Sequence, residues 1–488
     1  MTMFKLNGVT RAREGRDAKF RSRIPVFGRV SAALVLATMA SVGAEAQVAV
    51  TNQGFVPYSD APIYYRTAML TDPVTQLKDR IAKGRAQLKY KPDHGYLESV
   101  LKLLDIPVDS QTLVFSKTSF QYSKISPDHP RALYFNDDVY IGAVHDGKAI
   151  EVVSFDPMQG AVFYLLDEPK AKQPNFERAE LDCTQCHIAS GTRGIPGVLL
   201  QSVYPAASGT VAAGTRTYIT DQQSPYAQRW GGWYVNGLNS QGTLANAVVP
   251  DGDANADDKV RRSRSVIPLP ANSFDASRYL YSGSDVVAHL VLAHQTQMHN
   301  LITLVNYKTR IAINDWEKAH PGDKGRTDVD YPEGVRSAWE KPAERLLRYL
   351  LFSKEAALGE LSADLKPENS QFAKTFSAKG PRDPQHRSLR DFDLKTRTFR
   401  YPCSYLIYSE HFDHIPQPAR SYVYRRLLEV LTNQDNSSDF SHLTVQDRND
   451  ILAILLATKK GLPQEWYANA PQGTPSLAAA ARPAASGF

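Results

Sequence analysis

The sequence predicts an α+β fold with a β-rich N-terminal half and a mostly helical C-terminal half. Between Thr112 and Asp167, short apolar or aromatic runs alternate with turn residues, a pattern typical of antiparallel strands. From Val286 onward, apolar residues recur three and four positions apart, which indicates helices. The β-rich half leads directly into a loop that contains two of the three cysteines.

Individual elements follow from the same patterns. Short helices are predicted over Asp79–Leu88 and Leu97–Leu104. The predicted strands are Leu113–Phe115, Ala132–Phe135, Val139–Val144, Ile150–Val153, Ala161–Leu166, Arg216–Thr220 and Trp233–Val235. The predicted long helices are Val286–Tyr307, Glu333–Leu358, Ser421–Leu431 and Val445–Lys459. We therefore expect a β-rich region over residues 47–270, a helical region over 271–467 and a disordered tail over 468–488.

The segment Cys183-Thr184-Gln185-Cys186-His187 has the C-x-x-C-H spacing of c-type haem attachment. Two thiols in this spacing reach both haem vinyl groups and form thioether bonds, and the histidine that follows becomes the proximal iron ligand. A zinc site needs two further ligands, and the remaining cysteine, Cys403, stands alone. We expect one covalent haem on Cys183 and Cys186, with His187 on the iron and Cys403 as a buried, inert thiol.

Residues 1–46 have the organisation of an export signal. The first thirty contain eight basic residues against two acidic ones, followed by the apolar run Ala32–Ala40 and an Ala44-Glu45-Ala46 cleavage site. The apolar run is about half of the ~20 residues that span a bilayer. We therefore expect cleavage after Ala46, a periplasmic or secreted protein, and no membrane span in what remains.

The charge of the chain argues against nucleic-acid or membrane-surface binding. The formal net charge is +6, and most of the excess lies in the predicted signal. The chain that follows the signal is therefore close to neutral, so a polyanionic partner gains no support. A redox partner protein is expected, although no residue pattern identifies it.

The segment Cys183–Val198 resembles the haem loop of small bacterial c-type cytochromes. In that family the C-x-x-C-H motif is followed by glycines and a turn, which correspond here to Gly191, Gly194, Ile195, Pro196 and Gly197. The resemblance implies that the carbonyl of Pro196 accepts a hydrogen bond from the second ring nitrogen of His187. As a whole, the chain is similar to the large single-haem c-type proteins of bacteria.

The sixth iron ligand is predicted on the helix Val286–Tyr307. His294 and Met298 lie one turn apart on its apolar stripe, and Met298 is the only methionine that follows His187. Either residue is a candidate distal ligand, and the alternative is that both belong to the core. His299 and Met158 are the next candidates.

Two functions from different classes remain open at this stage. The first is electron transfer by an exported single-haem c-type cytochrome whose iron is closed by His294 or Met298. The second is a peroxidase-like haem oxidoreductase with an open distal site. In that enzyme His294 or His299 would move protons, and Arg193 or Arg229 would stabilise developing charge. A haem-based sensor is a third possibility.

Three weaker patterns have ordinary structural explanations. Asp251–Asp258 is acidic like a calcium loop, but Ala256 and Arg262 stand where glycine and glutamate are needed, which favours a solvated loop. His411 and His414 have the spacing of a metal-binding pair only if they lie on a helix, and the prolines that follow predict a loop. The cluster Arg229–Tyr234 either walls a flat ring or forms a strand with a bulge at its two glycines.

Overall fold

A seven-stranded sheet forms the centre of the N-terminal half. A computed structural model describes residues 56–236, 238, 242–250, 266–270, 272–327, 329–359, 361, 365 and 367–468. The predicted export signal, the acidic loop Asp251–Asp258 and the tail after residue 468 lie outside these residues. All of the described residues belong to one compact unit.

The strands follow the short apolar runs of the sequence. Their bounds are β1 Thr112–Val114, β2 Arg131–Phe135, β3 Val139–Ala143, β4 Ala149–Asp156, β5 Gly160–Asp167, β6 Phe176–Arg178, β7 Leu200–Ser202, β8 Tyr218–Thr220, β9 Trp233–Tyr234, β10 Ala247–Val248 and β11 Ile267–Pro268. The large sheet has the order β6-β5-β4-β3-β2-β1-β9, and every neighbouring pair in it is antiparallel. Strand β7 pairs with β8, and β10 with β11.

The helices dominate the second half of the chain. Their bounds are α1 Pro73–Ala82, α2 Leu97–Leu103, α3 Glu180–His187, α4 Val286–Ala319, α5 Glu333–Leu350, α6 Gln371–Ala378, α7 Glu410–Asp413, α8 Gln417–Leu431, α9 Val445–Thr458 and α10 Gln464–Ala468. Together with the sheet they confirm the predicted α+β class. Within the described residues, no helix combines the length and apolarity needed to cross a membrane.

Each face of the sheet packs against a different layer. Alternate residues of a strand point to opposite faces, so one face receives every second side chain. One face packs against α1 and α2 through the buried residues Leu113, Ala132, Tyr134, Ile141, Val152, Val162, Tyr164 and Tyr234. The opposite face meets the helical half: Val114, Phe135 and Trp233 join the large helical core, and Phe155, Ala161 and Phe163 form a smaller cluster.

Helix α4 is the central element of the helical half. It is 34 residues long and is buried on all sides over most of its first two thirds. Its start is set by Asp285, whose carboxylate accepts the backbone N–H of Val287 at 2.7 Å. Helices α5 and α8 pack directly on it. The polar side chains of so enclosed a helix need hydrogen-bond partners, and two of them, Gln297 and Asn300, bond to the loop that follows the C-x-x-C-H motif.

Some predicted bounds differ from the structure for identifiable reasons. The first helix begins at Pro73 instead of Asp79, because Asp72 caps it by accepting the N–H groups of Val74 and Thr75. The helix predicted to reach Leu358 ends at Leu350, and the chain then adopts positive φ at Phe352 and Lys354. The segment around His411, predicted as a loop, contains the short helix α7.

The first prediction concerns the apolar layer between the sheet and helices α1 and α2. Ile141 on β3 is completely buried there, so Ile141→Ala removes apolar contacts and leaves a cavity. We expect the free energy of unfolding to fall by about 2–5 kcal/mol, measured by urea denaturation. Ile267→Ala is the matched control, since Ile267 is 51% exposed, and it should change stability by less than about 0.5 kcal/mol. Equal effects for the two variants would contradict this packing.

Candidate haem-attachment site

The C-x-x-C-H motif lies on α3, and this helix arranges its three reactive side chains. Cys183, Cys186 and His187 occupy positions i, i+3 and i+4, which share one face of a helix. Neither cysteine forms a disulfide; Cys183 is half-buried and Cys186 is exposed. Both thiols and the imidazole are therefore presented on one side of a single short element.

His187 is held by a reciprocal pair of hydrogen bonds with Gly197. The ring Nδ1 of His187 lies 2.9 Å from the Gly197 carbonyl oxygen, and the Gly197 N–H donates to the His187 carbonyl at 3.0 Å. A carbonyl can only accept, so Nδ1 carries the proton and the lone pair of Nε2 remains for a metal. Burial lowers the pKa of His187, which favours this neutral form.

The predicted hydrogen-bond acceptor for His187, the Pro196 carbonyl, is therefore wrong. The acceptor is the carbonyl of the next residue, Gly197. In a trans peptide the C=O of one residue and the N–H of the next point in opposite directions. Because the Gly197 N–H points at His187, the Pro196 carbonyl of the same peptide group points away. The turn that produces this register includes positive φ angles at Arg193 and Gly194, and Thr192 Oγ1 donates to the Ile195 carbonyl at 2.9 Å.

Helix α4 fixes the loop that follows the motif. Asn300 accepts the N–H of Val198 at 3.0 Å and donates to the carbonyl of the same residue at 2.7 Å. Gln297, one turn earlier, donates to the Gly191 carbonyl at 3.0 Å. A Cβ atom at Gly197 would lie only 2.3 Å from Asn300 Oδ1, so glycine permits this close approach. The helix predicted to carry the sixth ligand therefore contacts the loop after the motif, through the amide side chains of Asn300 and Gln297.

The sheet supplies an apolar wall beside the motif. Cys183 packs against Phe155, Ala161, Phe163 and Val198, and the Phe163 ring lies 4.8 Å from the His187 ring. Two further side chains of this face, Tyr140 and Val153, pack on the same cluster and are only half-buried. A partly exposed apolar strip beside two thiols suits a flat apolar macrocycle.

An ion pair lies on the same face of the sheet. Arg131 pairs with Glu151, whose carboxylate also accepts hydrogen bonds from Ser119 and Gln121. The Nε of Arg131 is buried and has no hydrogen-bond partner among the described residues. The charges of Arg131 and Glu151 act on the pKa of His187 in opposite directions, so the pair lies in its neighbourhood.

His294 and Met298 do not face the motif. Both ring nitrogens of His294 are bonded, Nδ1 to Gln222 Oε1 at 2.5 Å and Nε2 to Ser404 Oγ at 2.7 Å. Met298 is completely buried in the helical core. It is one residue beyond Gln297 and so points about 100° away from the side that holds the loop. This arrangement gives no support to the prediction of His294 or Met298 as a distal ligand. Hydrogen bonds account for the position of the His294 ring, and core packing accounts for that of Met298.

The remaining distal candidates have other surroundings. His299 bonds to the Asp137 carbonyl through Nε2 at 2.8 Å and to His411 through Nδ1 at 3.4 Å, and its ring stacks on Phe155. Met158 lies in the turn between β4 and β5 and is 36% exposed. His299 borders the apolar cluster around Cys183 through Phe155, whereas Met158 does not belong to this cluster.

Arg229 and Arg193, the two arginines predicted to stabilise developing charge, differ in their hydrogen-bond partners. Arg229 donates to the carbonyls of Ser224 and Gln222 and stacks on Tyr226, so its guanidinium is committed to the fold. Arg193 lies within the haem loop, and its buried Nε has no partner among the described residues. Of these two arginines, Arg193 is the one with an unpartnered N–H group.

The weaker sequence patterns have structural roles. His411 is buried against His299 while His414 is exposed, and no group of three possible ligands suited to a metal occurs within the described ranges. Cys403 is completely buried, and burial raises the pKa of its thiol, which keeps it protonated and unreactive. In the cluster Arg229–Tyr234, Trp233 and Tyr234 form strand β9 and the glycine pair precedes it.

Asn300 gives the prediction for this site. Asn300→Ala leaves the buried N–H and C=O of Val198 without partners, and we expect a loss of about 1–3 kcal/mol in unfolding free energy. The haem loop should also become accessible to limited proteolysis. Asn314→Ala is the control, because Asn314 lies on the same helix and, among the residues that the structure describes, its side chain bonds only to exposed Asp315. An unchanged proteolysis rate in Asn300→Ala would show that this residue does not hold the loop.

Comparisons with known proteins add no assignment to this site. The chain matches no protein-family description, no curated protein sequence and no solved structure. The function must therefore be argued from the residues described above.

Proposed function

We propose that this protein is an exported single-haem c-type cytochrome that takes part in electron transfer. The observation that carries the proposal is the common face of Cys183, Cys186 and His187, together with the Gly197 bond that leaves His187 Nε2 for iron. Each thiol would add across a haem vinyl group, with the sulfur bonding to one vinyl carbon and the thiol hydrogen going to the other. No oxidant or reductant is needed for this addition.

The residues present fit a haem on chemical grounds. Two thiols, one imidazole and an adjoining strip of half-buried apolar side chains are what attachment to a flat macrocycle requires. Bound haem would supply an iron that accepts or releases one electron at a time. The chain's own contribution is to fix the ligand: the Gly197 carbonyl orients the His187 ring and raises its basicity.

Rigidity of the surrounding chain supports electron transfer. The loop after His187 is bonded to α4 at Gly191 and Val198, and the thiol of Cys183 packs on the sheet. A site that is held from two sides changes little in geometry when its charge changes, so little reorganisation would accompany transfer. The export signal at the N-terminus supports attachment after export, because c-type haem is attached outside the bacterial cytoplasm.

A second candidate function is a peroxidase-like haem oxidoreductase with an open distal site. The specific observation in its favour is that His294, His299 and Met298 are all engaged in packing or hydrogen bonds. If none of them reaches the iron, the sixth position is left for a small ligand. The same haem would then bind a substrate such as a peroxide in addition to exchanging electrons.

Haem attachment is tested by mass and by extraction. We expect the exported protein to retain its haem in acidified organic solvent, because thioether bonds are covalent. Cys183→Ser and Cys186→Ser should each lose most of the haem-bearing protein, while Cys403→Ser should keep it, since Cys403 is buried away from the motif. Complete extraction of haem from the unmodified protein would overturn the proposal.

The state of the sixth position is tested by absorption and EPR spectra with and without cyanide. We expect His294→Gln and Met298→Leu to leave the spin state and the cyanide affinity unchanged, because neither side chain faces the motif. Ready cyanide binding by high-spin iron in the unmodified protein would favour the oxidoreductase. Low-spin iron that resists cyanide and changes on Met298→Leu would show that our placement of Met298 is wrong.

A further inference from the structure

We propose that a cavity at one end of the large sheet binds a small amino carboxylate, a molecule that carries both an ammonium group and a carboxylate group. Glu168 receives the ammonium group of this ligand, and Arg278 receives its carboxylate. The inference goes beyond the proposed function, because the cavity contains no residue of the C-x-x-C-H motif or of α4.

The cavity lies on the face of the sheet that packs against α1 and α2. It includes Ala132 and Tyr134 of β2, which belong to the core on that face, whereas Cys183 packs on the opposite face. Its volume is about 270 Å³, close to the lower end of the pockets that bind small molecules, ~300 Å³. The other lining residues come from four segments, within 90–97, 143–147, 168–169 and 278–280.

The first observation is an unpartnered carboxyl group in this lining. Glu168 follows β5, and its backbone N–H donates to the Lys148 carbonyl at 2.9 Å. A Cβ atom on Gly95, another lining residue, would collide with Glu168 Oε2, so the carboxyl group reaches the segment before α2. Among the described residues its side chain forms no hydrogen bond and no ion pair. Burial raises the pKa of Glu168 to about 7, as expected for a carboxyl group with no cation beside it.

The second observation is an unpartnered guanidinium in the same lining. Arg278 ends the short helical turn Ala276–Arg278 and is half-buried. Its guanidinium forms no hydrogen bond and no ion pair within the part of the chain that the structure describes. The carboxylate of nearby Asp275 instead accepts the N–H and the hydroxyl of Ser277, at 3.0 and 2.7 Å. Glu168 and Arg278 therefore line one cavity with opposite charges and do not pair with each other.

The remaining charged residues favour a ligand that carries a positive charge. Three carboxyl groups line the cavity, against one guanidinium. One of them, Asp146, lies 3.5 Å from His145, and another, Asp93, is exposed at the rim. Lys170 follows Glu168 closely in the chain, but its Nζ lies over the Tyr90 ring at 5.9 Å. Because negative groups are in excess, an anion without an ammonium group is disfavoured.

Tyrosine rings supply an apolar part of the wall. Tyr134 donates its hydroxyl to Gln111 at 2.6 Å, and Tyr279 donates to the Pro130 carbonyl at 2.8 Å. These two hydroxyl groups are engaged within the fold, so the rings contribute surface rather than hydrogen bonds to a ligand. Aromatic rings also attract cations, which agrees with an ammonium group beside Glu168.

An amino carboxylate is the ligand that satisfies both unpartnered groups. Its ammonium group would donate to the Glu168 carboxylate, and its carboxylate would accept two parallel N–H groups from Arg278. A simple amine would leave Arg278 without a partner, and a simple carboxylate would leave Glu168 without one. Either should therefore bind more weakly than a molecule that carries both charges.

The experiment measures binding to the full chain as purified, by isothermal titration calorimetry. The probes are glycine, β-alanine, γ-aminobutyrate and leucine, with ethylamine and acetate as single-charge comparisons. The test variants are Glu168→Gln and Arg278→Gln. The matched controls are Glu177→Gln and Arg425→Gln, because both residues are exposed and neither lines the cavity.

We expect at least one of the four amino carboxylates to bind at a single site, at least about tenfold more tightly than ethylamine or acetate. Each test variant should weaken this binding by at least about tenfold, because one charge of the ligand loses its partner. The two controls should leave it unchanged. Arg278→Lys should retain part of the affinity, because it keeps the charge and loses the planar fork.

The proposal is overturned if none of the four amino carboxylates binds, or if ethylamine or acetate binds as tightly as they do. It is equally overturned if both test variants, shown to be folded by circular dichroism, bind like the controls. Covalent haem is measured in every variant at the same time. Absence of covalent haem would concern the proposed function alone, because the cavity shares no residue with the motif.

Discussion

The exchange of hydrogen bonds between His187 and Gly197 is the constraint around which the candidate site is organised. It closes the loop between the two residues, determines which ring nitrogen carries the proton, and leaves the other nitrogen for a metal. The same peptide orientation turns the Pro196 carbonyl away from the ring. Without this closure the two thiols would still be near each other, but the imidazole would have no fixed direction.

Contacts from α4 and from the sheet support the loop that these hydrogen bonds close. Asn300 and Gln297 hold the loop from α4, and Phe163 and Val198 hold the motif helix against the sheet. Polar side chains in the middle of a buried helix are costly unless they have partners, and the loop backbone supplies two for Asn300 and one for Gln297. The burial of α4 thus serves the site directly.

The histidines of α4 show how packing can resemble ligation in a sequence. His294 lies on the apolar stripe of the helix, as a distal ligand would, yet both ring nitrogens bond to side chains from distant parts of the chain, Gln222 and Ser404. Burial lowers its pKa to about 3, so it is a neutral member of the core. His299 is similarly placed, between a backbone carbonyl and His411. Helical periodicity can predict that a residue lies on the buried side of a helix. Only its hydrogen-bond partners in the folded chain show whether it belongs to the core or is left to bind a ligand.

Local patterns in the sequence were sufficient for the α+β class and for most strands of the large sheet, and they predict Cys183, Cys186 and His187 as the attachment residues. Alternation, turn residues and thiol spacing act over a few residues, so they can be recognised without the fold. Tertiary structure alone decided which helix face meets the haem loop and which carbonyl holds His187. Each of these depends on residues far apart in the chain, such as Val198 and Asn300, whose contacts arise only when the sheet and the helices pack together.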